Sequence, residues 1–139
     1  MKYKFLEHTA DIKFQAFGKS IEEVFENSAW AMFNAMYDGK VKSSSISKKL
    51  KINVKGKDFE SLMYNFLEEF LVLLDSEGFF LSKIEKIKID KKKFTLNVEV
   101  SGNNSENYEI SQHIKAVTYN DMFIHKEGKK WIAQVVIDV

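Results

Sequence analysis

The chain has 139 residues and a formal charge of +1 at neutral pH, so it projects no global field toward nucleic acid or an anionic membrane. Its 45% hydrophobic and 14% aromatic content exclude disorder and predict one domain over residues 1–139 with a real core. There is no Cys, which excludes a disulfide scaffold, a thiol nucleophile and a thiolate zinc site; all 21 basic residues are Lys, which excludes bidentate Arg clamps on phosphate or guanine.

Residues 2–6 and 11–17 read as two short strands, with Phe14 and Ala16 alternating against Lys13 and Gln15. Gly18-Lys19 is a turn. Ser20, followed three residues later by Glu23, is a capping-box start for a helix. Ile21, Val24, Phe25, Ala29, Met32, Phe33 and Met36 form its apolar stripe at helical spacing. Residues 39–47, with three serines in a row, read as a loop. The next strand, over 48–55, alternates Lys49, Lys51, Asn53 and Lys55 against Leu50, Ile52 and Val54.

Gly56 breaks that strand, and Asp58 can cap a second helix running to about residue 75. Phe59, Leu62, Met63, Phe66, Leu67, Phe70, Leu71 and Leu74 share one broad face. Burying side chains of this kind yields on the order of 1.5–3 kcal/mol each. This helix is therefore expected at the centre of the core. Two hairpins follow, over 79–100 around Asp90 and over 114–137 around Gly128, separated by a polar segment at 101–107 that is expected to be mobile. The class is α+β: a single domain with a mostly antiparallel sheet, two main helices and the order β-β-α-β-α-β-β-β-β.

No Gly-rich phosphate loop and no nucleophile elbow occurs. His8, His113 and His125 lack the spacing of a helical zinc site. The run Lys40, Lys42, Lys48, Lys49, Lys51, Lys55 and Lys57 contains no acid; it can track a phosphate backbone or be an ordinary solvated strand face. The sharper feature is Asp11, just after the first strand, and Asp138, just before Val139. Asp suits strands poorly. If the first and last strands are neighbours, these carboxylates converge on the terminal residue. Convergent carboxylates without soft ligands favour a hard cation. The competing reading is a turn-capping Asp11 and a frayed Asp138.

Five segments, in order and spanning nearly the whole chain, carry a family resemblance. His8-Thr9-Ala10-Asp11-Ile12 is similar to the N-terminal signature of the archease family. Gly18-Lys19-Ser20-Ile21-Glu22-Glu23-Val24-Phe25 and Leu62-Met63-Tyr64-Asn65-Phe66-Leu67-Glu68-Glu69-Phe70 resemble its two helices. Lys115-Ala116-Val117-Thr118-Tyr119 and Val135-Val136-Ile137-Asp138-Val139 resemble its C-terminal signatures.

The resemblance implies a non-catalytic accessory protein of tRNA processing. Its partner would be a GTP-dependent tRNA-splicing RNA ligase, which joins 3′-phosphate or 2′,3′-cyclic-phosphate ends to 5′-hydroxyl ends. Archeases promote ligase guanylylation and turnover and can broaden nucleotide use. RNA and GTP would be met through the ligase. The implied metal ligands are Asp11, Asp138 and Val139, with Ca²⁺ the usual ion and Mg²⁺ the alternative. Lys115 matches the family's functional Lys, and His8 and Tyr119 join it as candidates for positioning the partner or nucleotide.

Two positions depart from the pattern: Lys13 stands where Gly is frequent, and Asn120 where His is usual. Two further readings stay open, a chaperone-like or RNA-modification partner and a stand-alone metal-dependent phosphoesterase. With no apolar leader at the N-terminus and no long apolar run, a cytoplasmic protein without a membrane partner is expected.

Overall fold

The computed structural model describes residues 1–41 and 48–139, with the backbone alone at 38, 40 and 41. The chain runs β1 (Tyr3–Leu6), β2 (Ile12–Gly18), α1 (Ile21–Met36), β3 (Tyr37–Val41), β4 (Lys48–Lys55), α2 (Phe59–Glu77), β5 (Phe79–Asp90), β6 (Thr95–Asn104), β7 (Tyr108–Ile110), β8 (Ala116–Glu127) and β9 (Lys130–Asp138). The expected α+β class and element order hold, with the short strands β3 and β7 added to them. Among the described residues, three antiparallel sheets form: β1-β2-β9-β8, β4-β6-β5 and the pair β3-β7.

The helix starts follow from their caps. Ser20 Oγ accepts from Glu23 N at 3.1 Å, while the Glu23 carboxylate reaches back to Lys19 N at 3.3 Å. Asp58 and Ser61 form a reciprocal capping box, and Gly78, left-handed at φ 63°, ends α2. Gly18 and Gly56 sit where β2 and β4 pass close under the first turns of α1 and α2. A Cβ at Gly56 would lie 2.5 Å from Leu62 N, and one at Gly18 2.6 Å from Val24 N.

Both helices pack against both large sheets. Helix α1 is the more enclosed of the two. All seven residues of its apolar stripe are buried, and so are Asn27, Ser28 and Ala31. Helix α2 buries Leu62, Met63, Phe66, Leu67, Phe70 and Leu71 while leaving Val72 exposed. This corrects the expectation that α2 is the centre of the core. Two polar residues disguise α1: Asn27 donates to Phe17 O at 2.7 Å and Ser28 to Val24 O at 2.7 Å, so both are buried at little cost. Phe33, Phe66, Phe70 and Phe80 lock the layers through edge-on ring contacts at 4.9–5.4 Å.

The expected mobile segment at 101–107 is also corrected. Strand β6 continues to Asn104, burying Ser101 and Asn103, and a 3-10 turn over Ser105–Asn107 follows. Polar composition misled because Gly102 lets β6 run tight beneath Phe79, where a Cβ would come within 2.5 Å of the ring. The expected loop over 42–47, and with it Lys42, lies outside the described residues. The end of that stretch before 42 is the close of β3, paired with β7.

Candidate functional site

Register decides the first question about the two carboxylates. Strands β2 and β9 are antiparallel neighbours, with Ile12 opposite Ile137. One step outward along the chain from this pair stand Asp11 and Asp138. Strand β8 flanks β9 on its other side, with Ala116 opposite Asp138, and Lys115 N donates to Asp138 O at 2.8 Å. Asp11, Lys115, Asp138 and Val139 thus gather at one end of the four-stranded sheet, although they come from three strands. Phe14 and Ala16 on β2 pair with Val135 and Ala133 on β9, and all four are buried in the core. By alternation, Asp138 and Lys13 belong to the face away from the helices.

On that outer face His8 lies between two acids. Its Nδ1 is 4.0 Å from Asp11 Oδ2, and its Nε2 is 4.0 Å from Asp121 Oδ2. Lys13 Nζ stands 3.3 Å from the same Asp121 oxygen. Asp121 belongs to a wide bulge in β8. Between the pairs Thr118–Val136 and Phe123–Gln134, β8 spends four residues where β9 spends one. The bulge carries Asp121 at φ 53° and is pinned by Gln134, whose amide donates to Asp121 O at 2.8 Å. Gln15 in turn donates to Gln134 Oε1 at 2.9 Å. Thr118 Oγ1 donates to Val136 O at 2.8 Å and accepts from Asn120 N at 3.3 Å.

Tyr119 opens the same bulge from the helix side. Its ring stacks on Tyr64 of α2, with centroids 4.5 Å apart and planes within 9°, yet the residue stays 53% exposed. Partial burial, then the neighbouring Tyr64, raises the Tyr119 phenol above its ordinary pKa, so it keeps its proton at neutral pH. Glu68, also on α2, accepts from Val117 N at 2.7 Å and ties β8 to the helix just before the bulge.

Of the sequence candidates, Asp11, Asp138, Val139, Lys115 and His8 lie toward the same end of the sheet, with contacts between Lys115 and Asp138 and between His8 and Asp11. Tyr119 stands four residues from Lys115 along β8. Sequence reasoning missed Asp121, Tyr64 and Glu68 as parts of the site. Asp121 gives no periodic signal because a bulge breaks the alternation; Tyr64 and Glu68 stand in the helical segment that resembles the family's, with nothing local to mark a role. Lys13 was visible as a departure, but its partner Asp121, 108 positions away, was not. Among the described residues no group of three or more His, Asp or Glu side chains is placed to hold a metal.

Comparison with known proteins decides the lineage. The family model described as the Archease protein family matches residues 3–139. This chain belongs to the archease family. Curated archease proteins are similar over nearly full length. The one from Methanosarcina mazei is 39% identical, covering 99% of this chain and 96% of its own. The one from Pyrococcus abyssi is 38% identical and covers 99% of each chain. The solution structure of protein 1598 from Methanobacterium thermoautotrophicum is 34% identical, with a TM-score of 0.80 over 99% of both chains. A crystal structure from Thermotoga maritima, described as an archease and possible chaperone, shares the fold at TM-score 0.61 and 23% identity. No helix among the described residues of this archease is long and apolar enough to cross a membrane.

Proposed function

We propose that this archease is a non-catalytic activator of a GTP-dependent tRNA-splicing RNA ligase, promoting ligase guanylylation and turnover in the cytoplasm. The observation that carries the reading is the meeting of Asp11, Asp138 and Lys115 at one sheet end, on a chain that matches the family model from residue 3 to 139. These oxygens are hard donors, which fits Ca²⁺, with Mg²⁺ as the alternative. Asp11, Asp138 and Val139 would hold the ion, and its charge would attract nucleotide phosphates at the ligase surface.

The chain's own residues do the positioning. His8 lies beside the Asp11 carboxylate, its Nδ1 4.0 Å from Oδ2. The exposed Lys115 ammonium, one step beyond the β8–β9 ladder, offers a point charge to a phosphate. Glu68 fixes the strand at Val117, between Lys115 and Tyr119, and Gln134 pins the bulge that follows at Asp121. Positioning and electrostatic stabilisation of this kind speed a reaction without a residue that turns over substrate.

The test is pre-steady-state guanylylation of the cognate ligase, without RNA, in the presence of wild type or Asp11→Ala. A loss of most of the stimulation is expected. Equal stimulation by both proteins would sink the metal-tip mechanism.

A further inference from the structure

The second large sheet, β4-β6-β5, has one face on the helices and one in solvent. Lys48, on the helix side of β4, pairs with Glu77 of α2. Its neighbours Lys49, Lys51, Asn53 and Lys55 therefore point the other way. Register sets three rows across the solvent face: Lys51–Glu99–Lys86, Asn53–Asn97–Lys88 and Lys55–Thr95–Asp90. A groove of about 250 Å³ is lined by Lys51, Asn53, Lys86, Lys88, Asn97 and Glu99. Two lysine columns thus flank a polar central strand, two strand spacings or roughly 10 Å apart.

The face also holds acids, and they are placed in a telling way. Glu85 accepts from Ser101 and lies 4.0 Å from Lys83, while Asp90 accepts from Lys92 N and Lys93 N at the hairpin. Glu99 sits on the central strand of the groove, between Lys51 and Lys86. Six lysines against these three acids leave the face positive on a chain whose net charge is only +1. The compensating acids lie elsewhere, largely on the helices and the tip. Such segregation is what a polyanion-binding surface needs and what average composition conceals.

The groove has a direction. Lys55 continues the β4 column and lines an adjoining hollow with Lys57, Asn65 and the exposed Tyr119. One ring face of Tyr119 is covered by Tyr64; the residue is otherwise open to solvent. An open aromatic ring stacks nucleobases of any sequence, and lysines without Arg read phosphates as point charges. No aromatic side chain lines the groove itself, so only the Tyr119 end can stack a base.

We propose that the solvent face of β4-β6-β5 binds the sugar-phosphate backbone of a single-stranded RNA and leads one end of it to Tyr119. The choice of RNA among polyanions rests on the function proposed above; the groove and its charge do not. Binding is expected to be independent of sequence and steeply salt-dependent. For a single strand the slope of log K against log salt is roughly −0.7 per neutralised phosphate, so six contacts give about −4.

The experiment is fluorescence anisotropy of a short mixed-sequence RNA oligonucleotide with the full chain across a salt series. Lys51→Gln/Lys86→Gln/Lys88→Gln should flatten the slope by about 2, with melting temperature unchanged because all three side chains are exposed. Tyr119→Ala should weaken binding roughly 5- to 150-fold by loss of one stacked base. The triple-glutamine protein should still stimulate RNA-free guanylylation fully. No salt-dependent binding, or an unchanged slope in the triple variant, overturns the proposal. So does displacement of the RNA by polyglutamate at equal charge, which would mark a generic protein-docking face. Loss of RNA-free stimulation in the triple variant would place the ligase on this face instead. A failure of the Asp11→Ala test leaves each of these readouts standing and counts only against the metal tip.

Discussion

The two large sheets hold the same helices between them and expose opposite chemistry. The outer end of β1-β2-β9-β8 gathers Asp11, Asp121 and Asp138 with His8 and Lys13 interleaved. The outer face of β4-β6-β5 lays out lysines in columns beside a polar strand. The acidic tip is built by convergence, three segments far apart in sequence meeting at one end. The basic face is built by repetition, lysines recurring along the two strands that flank β6. Convergence suits a compact ion or a single phosphate, whereas repetition suits a polymer. Nearly neutral chains can therefore carry two strong local fields, provided the fold keeps them apart.

The largest expected effect tests what the two regions share. Phe70→Ala removes a buried ring that contacts both Phe33 and Phe66. It should cost about 3–5 kcal/mol in urea denaturation. A single cooperative transition followed by probes at Tyr119 and on β6 is expected; two separate transitions would show that the sheets fold as independent units.

Next comes the link between α2 and the tip. Glu68→Ala deletes the carboxylate that accepts Val117 N–H and should cost about 1.5–3 kcal/mol. Hydrogen exchange should rise in β8 around Val117 and leave β4 and β6 unchanged. A uniform rise across both sheets would mean that Glu68 has no local role.

Asp11→Asn separates the regions by function. Calorimetry with Ca²⁺ should show affinity falling tenfold or more, about 1.4 kcal/mol. RNA anisotropy should not move. Wild type should melt higher in excess Ca²⁺ and the variant much less so, since only an ion that binds the folded state stabilises it.

The smallest effect concerns the helix start beside the Tyr119 hollow. Asp58→Ala removes the α2 cap and should cost about 1 kcal/mol. The hydrogen bond from Ser61 N, then the Ser61 side chain, lowers the Asp58 pKa below its ordinary range. A lowered folded pKa means the ionised form stabilises the fold. That stability is fully present above the ordinary carboxylate range and is lost as pH falls through it toward the folded value. The difference between wild type and Asp58→Ala should therefore shrink in acid; a constant difference down to low pH would contradict the cap's charge dependence.

Much of the architecture was legible because local rules agreed with one another. Ser20 and Asp58 marked the helix starts, and the seven-residue stripe of α1 is buried in full. The lysine alternation in β4 marked its solvent side. The readings that failed did so where polarity is satisfied internally. Asn27 and Ser28 hide the enclosure of α1, and Ser101 and Asn103 hide the length of β6. The short strands β3 and β7 carry no period long enough to read and exist only because they find each other.

For the site, sequence alone named Asp11, Asp138, Val139 and Lys115 and the family to which they belong. It could not say that they meet, because strand adjacency depends on which edges pair. Nor could it give Asp121, Tyr64 or Glu68 their roles, which come from a bulge, a stack and a side chain reaching a neighbouring backbone N–H. What the chain encoded locally is periodicity, caps and charge alternation, each set by contacts within a few residues. Only tertiary structure decided the register of β2 on β9, the bulge in β8 and the separation of acidic tip from basic face. Those depend on contacts between segments that only the folded chain brings together, from 13 positions apart for Gln134 and Asp121 to 119 for Gln15 and Gln134.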